Sequence, residues 1–441
     1  MTRTWTKLFA VFAMLTVIGV LVAGCGQSTP SQPASTGESA APSQSTAASQ
    51  SAASKPAGPT KKVVVGTLVD LSGPSALGGQ IQLMALQNYF KYASDQQLVP
   101  GVTFEVVAYD TRFDASKSAA GYQYLKEKGA LVLNAFYSQD IEATKPLAVE
   151  DKIPVFAYSA TKLSTALPSW TFSGAALTEE MVMNAVDWMI SSWDYAKQGR
   201  SPNIGVIGWD IATGRIAAAT MEDYVKRPEI KEKLNYIGKA TLPPGTMDFT
   251  EPARTFAQAK ADYVFSGMPG QPNSSLMKTI YQNKYPFRIM WADWGGSFWT
   301  TTTVQASGGP EAVAGHYQLS LFGWKGTGPG WELSKKIIND DAKWKQMDDG
   351  SDIAIGMAYM TSMPTVDAVK RAVAAVGVDK LDGTAIYNAA QKVDLDPQGL
   401  FGRLTWTDTK RSGAGQLRVY QVQPNADFKM VQDWFTIKYH Q

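Results

Sequence analysis

From Lys62 onward, short runs of nearly continuous apolar residues alternate with helix-length mixed segments. Short apolar runs of this kind predict strands of a parallel sheet covered on both faces. Strands are predicted at Lys62–Val69, Val102–Ala108, Ala130–Phe136 and Pro154–Tyr158, with helices near Gly79–Ser94, Ser116–Lys128 and Gln139–Asp151. The alternation restarts with strands at Ile204–Trp209, Leu234–Ala240, Tyr263–Ser266 and Arg288–Ala292 and helices at Arg215–Lys226, Thr250–Lys260 and Ser274–Asn283. Two successive series predict an α/β protein with two doubly wound, Rossmann-like lobes. Longer helices are predicted at Trp331–Lys345 and Ile355–Val376, then an antiparallel ribbon over Leu404–Ile437 turning at Ser412–Gly415. Ligands of such sheets bind beyond the carboxyl ends of the strands, so a cleft between the lobes is the expected site.

The first 60 residues follow another pattern. Arg3 and Lys7 lead into the apolar stretch Leu8–Leu21, which ends in Leu21-Val22-Ala23-Gly24-Cys25. The run falls short of the roughly 20 apolar residues that span a bilayer. Its layout is that of a secretory signal. It resembles the lipobox of bacterial lipoproteins, which implies a signal peptide over 1–24 and lipidation of Cys25 as the mature N-terminus. An ordinary secretory signal or an uncleaved anchor helix are the alternatives. Gly26–Thr60 contains no Val, Ile, Leu, Met, Phe, Trp or Tyr, and only Glu38 and Lys55 are charged. Such a stretch cannot bury enough surface to offset the entropy of ordering it. Residues 25–60 are therefore expected to form a disordered tether reaching about 30 Å as a coil, a glycosylated stalk being the alternative.

Composition narrows the chemistry. The length that remains is too great for one ordinary core and predicts two domains. Forty-one Lys and Arg balance 39 Asp and Glu without a long charged block, so no nucleic-acid partner is expected. With Cys25 lipidated, the folded part has no cysteine for a disulfide, a nucleophile or a metal. Only His316, in or beside a strand at Gly315–Phe322, and the penultimate His440 remain. That weakens Ser-His-Asp catalysis and histidine-ligated zinc. No phosphate-binding glycine motif stands out, and neither a metal nor a cofactor is expected.

The segments Lys62–Gln80 (KVVVGTLVDLSGPSALGGQ), Val107-Ala108-Tyr109-Asp110, Ile153-Pro154 and Ser159-Ala160-Thr161 carry a resemblance through their order and spacing. They resemble the type I periplasmic solute-binding proteins, in particular the branched-chain amino-acid-binding proteins of ABC importers. The resemblance implies two lobes joined by three hinge crossings: 61–178 with 323–398, and 179–322 with 399–441. It further implies a monomeric, non-enzymatic binder held outside the cytoplasm by its lipid anchor. Such a binder would carry an amino acid or related small carboxylate, aromatic acids included, to ABC permease subunits. A sensory lipoprotein serving a receptor and a surface hydrolase with paired carboxylates are the other readings.

The same resemblance supplies candidate binding residues. Ser138, after the third strand, and Ser159-Ala160-Thr161, after the fourth, would hold the ligand's carboxylate and amine. Ser138 begins a helix, where free N–H groups and the dipole attract a carboxylate; plain N-capping by Ser138 and Thr161 is the alternative. Asp293, in Trp291-Ala292-Asp293-Trp294-Gly295-Gly296, would pair with the ligand ammonium, or else cap a turn. Tyr137, Thr213 and Trp294 complete the set. Gly78 and Pro269 stand where relatives often carry aromatic rings, so the cavity should be larger unless Trp291, Trp294, Phe298 or Trp299 closes it. This favours a ligand larger or more aromatic than leucine.

Overall fold

The computed structural model describes residues 60–296, 301–323, 329–339 and 352–438. The signal and tether, Cys25, Phe298, Trp299 and His440 lie outside the described residues.

Five parallel strands form the first sheet: β1 (Lys61–Val69), β2 (Val102–Asp110), β3 (Ala130–Ala135), β4 (Val155–Ala157) and β5 (Thr171–Ser173), in the order β2-β1-β3-β4-β5. The second sheet contains β6 (Asn203–Trp209), β7 (Asn235–Leu242), β8 (Tyr263–Ser266), β9 (Arg288–Ala292) and β10 (Tyr317–Ser320), all parallel to one another. A short antiparallel pair follows, β11 (Asp394–Leu395) with β12 (Leu404–Thr405). The hairpin β13 (Gln416–Val422) and β14 (Phe428–Thr436) then extends the second sheet to the order β14-β13-β10-β9-β8-β6-β7. The fold is thus α/β with two doubly wound sheets.

Packing explains the strand composition. Val63, Val65 and Val132 on one side and Leu68, Leu133 and Val155 on the other are buried, because helices cover both faces of the first sheet. The helix Asp352–Val376 returns to that sheet, packing on the helix Ala76–Asp95 and on β3 and β4. Its Thr365 accepts a hydrogen bond from the buried Asn134 amide of β3 at 3.0 Å. The helix Thr178–Ser191 packs instead on Ala212–Tyr224 of the second sheet. One hydrophobic core, holding Val63, Val206 and Ala358, runs through both sheets' surroundings.

The chain passes between the two sheets after β5, after β10 and before β13. These passages lie side by side: Ser173 bridges Ser412, and Phe322 bridges Phe401. Buried Glu180 ties the first passage to the third, accepting hydrogen bonds from the Leu177 N–H at 2.8 Å and the Ser412 hydroxyl at 2.6 Å. The expected ribbon therefore needs one correction. Ser412–Gly415 is not its turn but the third passage, with Gly413 pressed against Ser173 and Trp406. The hairpin turns at Gln423–Asp427, where Ala426 takes a positive φ of 63° and the Gln423 N–H donates to the Asp427 carbonyl.

Candidate functional site

Phe136 and Tyr137 follow β3, and the helix Ser138–Asp151 starts at once. Its first N–H groups have no carbonyl within the helix to donate to. On the second sheet β6 runs into the helix Ala212–Tyr224 through Asp210 and Ile211. That helix sits tightly on its strand: a Cβ on Gly214 would lie 2.0 Å from the Trp209 carbonyl oxygen. The two helix starts meet, and the hydroxyls of Ser138 and Thr213 are hydrogen-bonded at 2.6 Å.

Around this contact lies a cavity of about 30 Å³, room for one or two waters. Phe113, Phe136, Tyr137, Tyr158 and Trp294 supply rings, and Ser75, Gln82, Ser138, Gln139, Ser159 and Thr213 supply polar atoms. Among the described residues, no Asp, Glu, Lys, Arg or His lines it. Phe113 meets Tyr137 edge to face at 5.0 Å, and the Tyr137 hydroxyl donates to the Gln82 carbonyl oxygen at 3.3 Å. The Asn273 amide fixes the opposite rim. It donates to the Met268 and Gly295 carbonyls at 3.2 and 3.1 Å and accepts from the Ser266 hydroxyl at 2.6 Å. The Gly270 N–H donates to the Trp294 carbonyl at 2.9 Å, which holds Trp294 beside Pro269.

Of the candidates from the sequence, Tyr137, Ser138, Ser159, Thr213 and Trp294 come together on this wall, whereas Ala160, Thr161 and Asp293 stand behind it. Ala160 is buried in the first lobe's core. Thr161 caps the turn Lys162–Thr165, its hydroxyl accepting from the Ser164 N–H at 3.2 Å and donating to Glu142 at 2.6 Å. Asp293 is fully buried and accepts from the Leu321 N–H at 2.6 Å and the Gln318 amide at 3.3 Å. Burial pushes its carboxyl up to about 7. The Tyr158 hydroxyl lies near it, outside hydrogen-bond geometry. Gly78 is buried in the first turn of Ala76–Asp95. Trp291 is also a core residue, donating to Gln318 at 3.2 Å.

Two other titratable groups are structural. Asp140, in the first turn after Ser138, is fully buried, with the Ser118 hydroxyl donating at 2.6 Å; burial raises it to about 7. His316 is buried and accepts the Ile289 N–H on Nδ1 at 3.0 Å, and burial lowers it to about 3. Among the described residues no cluster of metal-ligating side chains occurs, and no helix is long and apolar enough to cross a membrane.

Among the wall residues that sequence reasoning missed are Ser75, Gln82, Phe113, Phe136, Gln139, Tyr158, Ile211, Gly267 and Met357. Ile211 follows a strand end and was open to that rule. Met357 and Gln82 sit inside long helices, where their spacing reads simply as core.

A family model described as periplasmic binding protein matches residues 62–427. No curated protein sequence matches the chain. Among solved structures, the chain is similar to a branched chain amino acid ABC transporter from Thermus thermophilus with bound valine, at 18% identity and a TM-score of 0.74 over 86% of this chain and 97% of that one. A fatty acid ABC transporter substrate-binding protein from Thermomonospora curvata gives 19% and 0.72, covering 86% and 95%. A solute-binding protein from Rhodopseudomonas palustris in complex with 3,4-dihydroxy benzoic acid gives 17% and 0.69, covering 86% and 98%.

Proposed function

The chain belongs to the periplasmic binding protein family, whose members bind small molecules outside the cytoplasm for ABC transporters, and from that premise we propose that it binds an apolar or aromatic monocarboxylate lacking an amine. The observation that carries this is the meeting of two helix starts at Ser138 and Thr213 on a ring-rich wall with no charged side chain among the described residues. Helix N-termini favour an anion through their free N–H groups and dipole. Hydroxyls beside them give a carboxylate charge-assisted hydrogen bonds. An ammonium would find no counter-charge among the described lining residues, because Asp293 is buried outside them. Leaving such a cation unpaired in a closed cleft is costly.

Its mechanism is capture between lobes. Pockets that hold a small molecule run to about 300–1,000 Å³, far more than the present cavity. A solute therefore enters when the lobes part about their three passages, and closure follows from contacts made only when shut. Phe113, Tyr137, Tyr158 and Trp294 flank the ligand's apolar body. The loaded protein delivers it to permease subunits, without covalent chemistry, and lipid-bearing Cys25 holds it at the membrane's outer face. The solved neighbours carry valine and 3,4-dihydroxy benzoic acid on one fold, so the fold leaves the choice to the wall.

The test is a thermal-shift comparison of the purified protein with benzoate, octanoate, leucine and valine. An acid at about 100 times its Kd should add roughly 2.7 kcal/mol of apparent stability, with no response to the amino acids. Stabilisation by leucine or valine and none by the acids would overturn the proposal.

A further inference from the structure

We infer that Gln139 recognises a second oxygen on the ligand's body, so that the preferred solute is a hydroxylated or carbonyl-bearing aromatic acid rather than a plain one; this rests on the aromatic-acid reading above. Gln139 is the second residue of the helix Ser138–Asp151 and lines the same cavity as Ser138. It is only 9% exposed, and its amide nitrogen is buried without a hydrogen-bond partner. Leaving a buried donor unmade is costly, and most buried side-chain polar atoms avoid that cost by finding partners.

A second amide on the wall is poorly satisfied in the same sense. Gln82 is 4% exposed; its carbonyl oxygen accepts from Tyr137, while its nitrogen donates to the Met357 sulfur at 3.2 Å. A thioether is a weak acceptor. The unmet capacity of these two amides is therefore donor capacity. The Ser138 and Thr213 hydroxyls with the helix-start N–H groups already suffice for a carboxylate. Donors beyond that set call for an acceptor elsewhere on the ligand. A site built to hydrogen-bond such an oxygen discriminates against the analogue that lacks it.

Calorimetric Kd values for benzoate, 3-hydroxybenzoate and 4-hydroxybenzoate with the wild type and Gln139→Met test this. The wild type should prefer at least one hydroxybenzoate over benzoate by roughly tenfold, the scale of one net hydrogen bond with its desolvation cost. Gln139→Met, of similar length and without a donor, should collapse that ratio to within about threefold. Should Gln139→Met fail to fold, judged by its unfolding transition, Gln139→Leu takes its place. An unchanged ratio in the variant, or no preference in the wild type that binds benzoate, overturns the inference alone. Failure of all three acids to bind the wild type overturns the aromatic-acid reading and the inference together.

Discussion

The hydroxyl of Ser138, at a helix start on the first sheet, lies 2.6 Å from that of Thr213, at a helix start on the second. The groups best placed to hold a carboxylate therefore also hold the lobes to each other. Thr213→Val should loosen closure and weaken carboxylate binding. One net hydrogen bond is worth about 0.5–1.5 kcal/mol, a loss of roughly 2- to 13-fold in affinity. Solution scattering without ligand should show a larger radius of gyration, and an unchanged radius and Kd would refute the link.

Gly214→Ala should cost more than Thr213→Val. The added methyl meets the Trp209 carbonyl at 2.0 Å, so the helix start must shift and carry Thr213 with it. Ligand affinity and the amide exchange protection of Ala212–Tyr224 should fall together. A variant with full affinity would place the helix start outside the binding machinery.

Asp140 should give ligand binding a pH dependence. Its buried carboxyl, raised to about 7, lies two residues from Ser138 and faces Ser118, Thr111, Asp70 and Asp114. Above that pH a negative charge opposes an anionic ligand at the helix start. Benzoate affinity should therefore drop between pH 6 and 8.5, and Asp140→Asn should flatten the profile. A wild-type Kd constant over that range would count against this.

Stability follows the same groups with opposite signs. Asp140 and Asp293 have folded values raised above those of the unfolded chain, so their contribution is complete below about pH 3.9 and lost as pH rises through about 7. His316 is lowered to about 3, so its contribution is complete above about pH 6.5 and lost as pH falls toward 3. Asp293→Asn should lose less stability between pH 5 and pH 8 than the wild type. Thermal unfolding at both pH values reads this directly.

Cys25→Ser should release the protein from the membrane while leaving its ligand affinity intact, because stable anchoring needs acyl chains and the cleft does not. Membrane fractionation with a parallel Kd measurement checks both halves; a variant that stays with the membrane would argue for an anchor helix.

Most of the fold was legible where apolar runs were long. β1 to β4 and β6 to β9 fall on the predicted strands, within a few residues. β5, a three-residue strand Thr-Phe-Ser, carries too little pattern to be seen, and the Ser-Gly-Ala-Gly stretch looks like a turn although the third passage uses its small residues for close approach. At the site, the family resemblance named Ser138, Ser159 and Thr213, which line the cavity. A strand end does not specify which way a side chain points, and so Thr161 and Asp293, engaged by Glu142, Ser164, Leu321 and Gln318, read the same as residues on the wall.

The return of Asp352–Val376 to the first sheet also governs when the protein can fold. β1 to β5 are complete by Ser173, yet a helix that packs on β3 and β4 ends only at Val376. Through most of synthesis the chain holds no finished lobe.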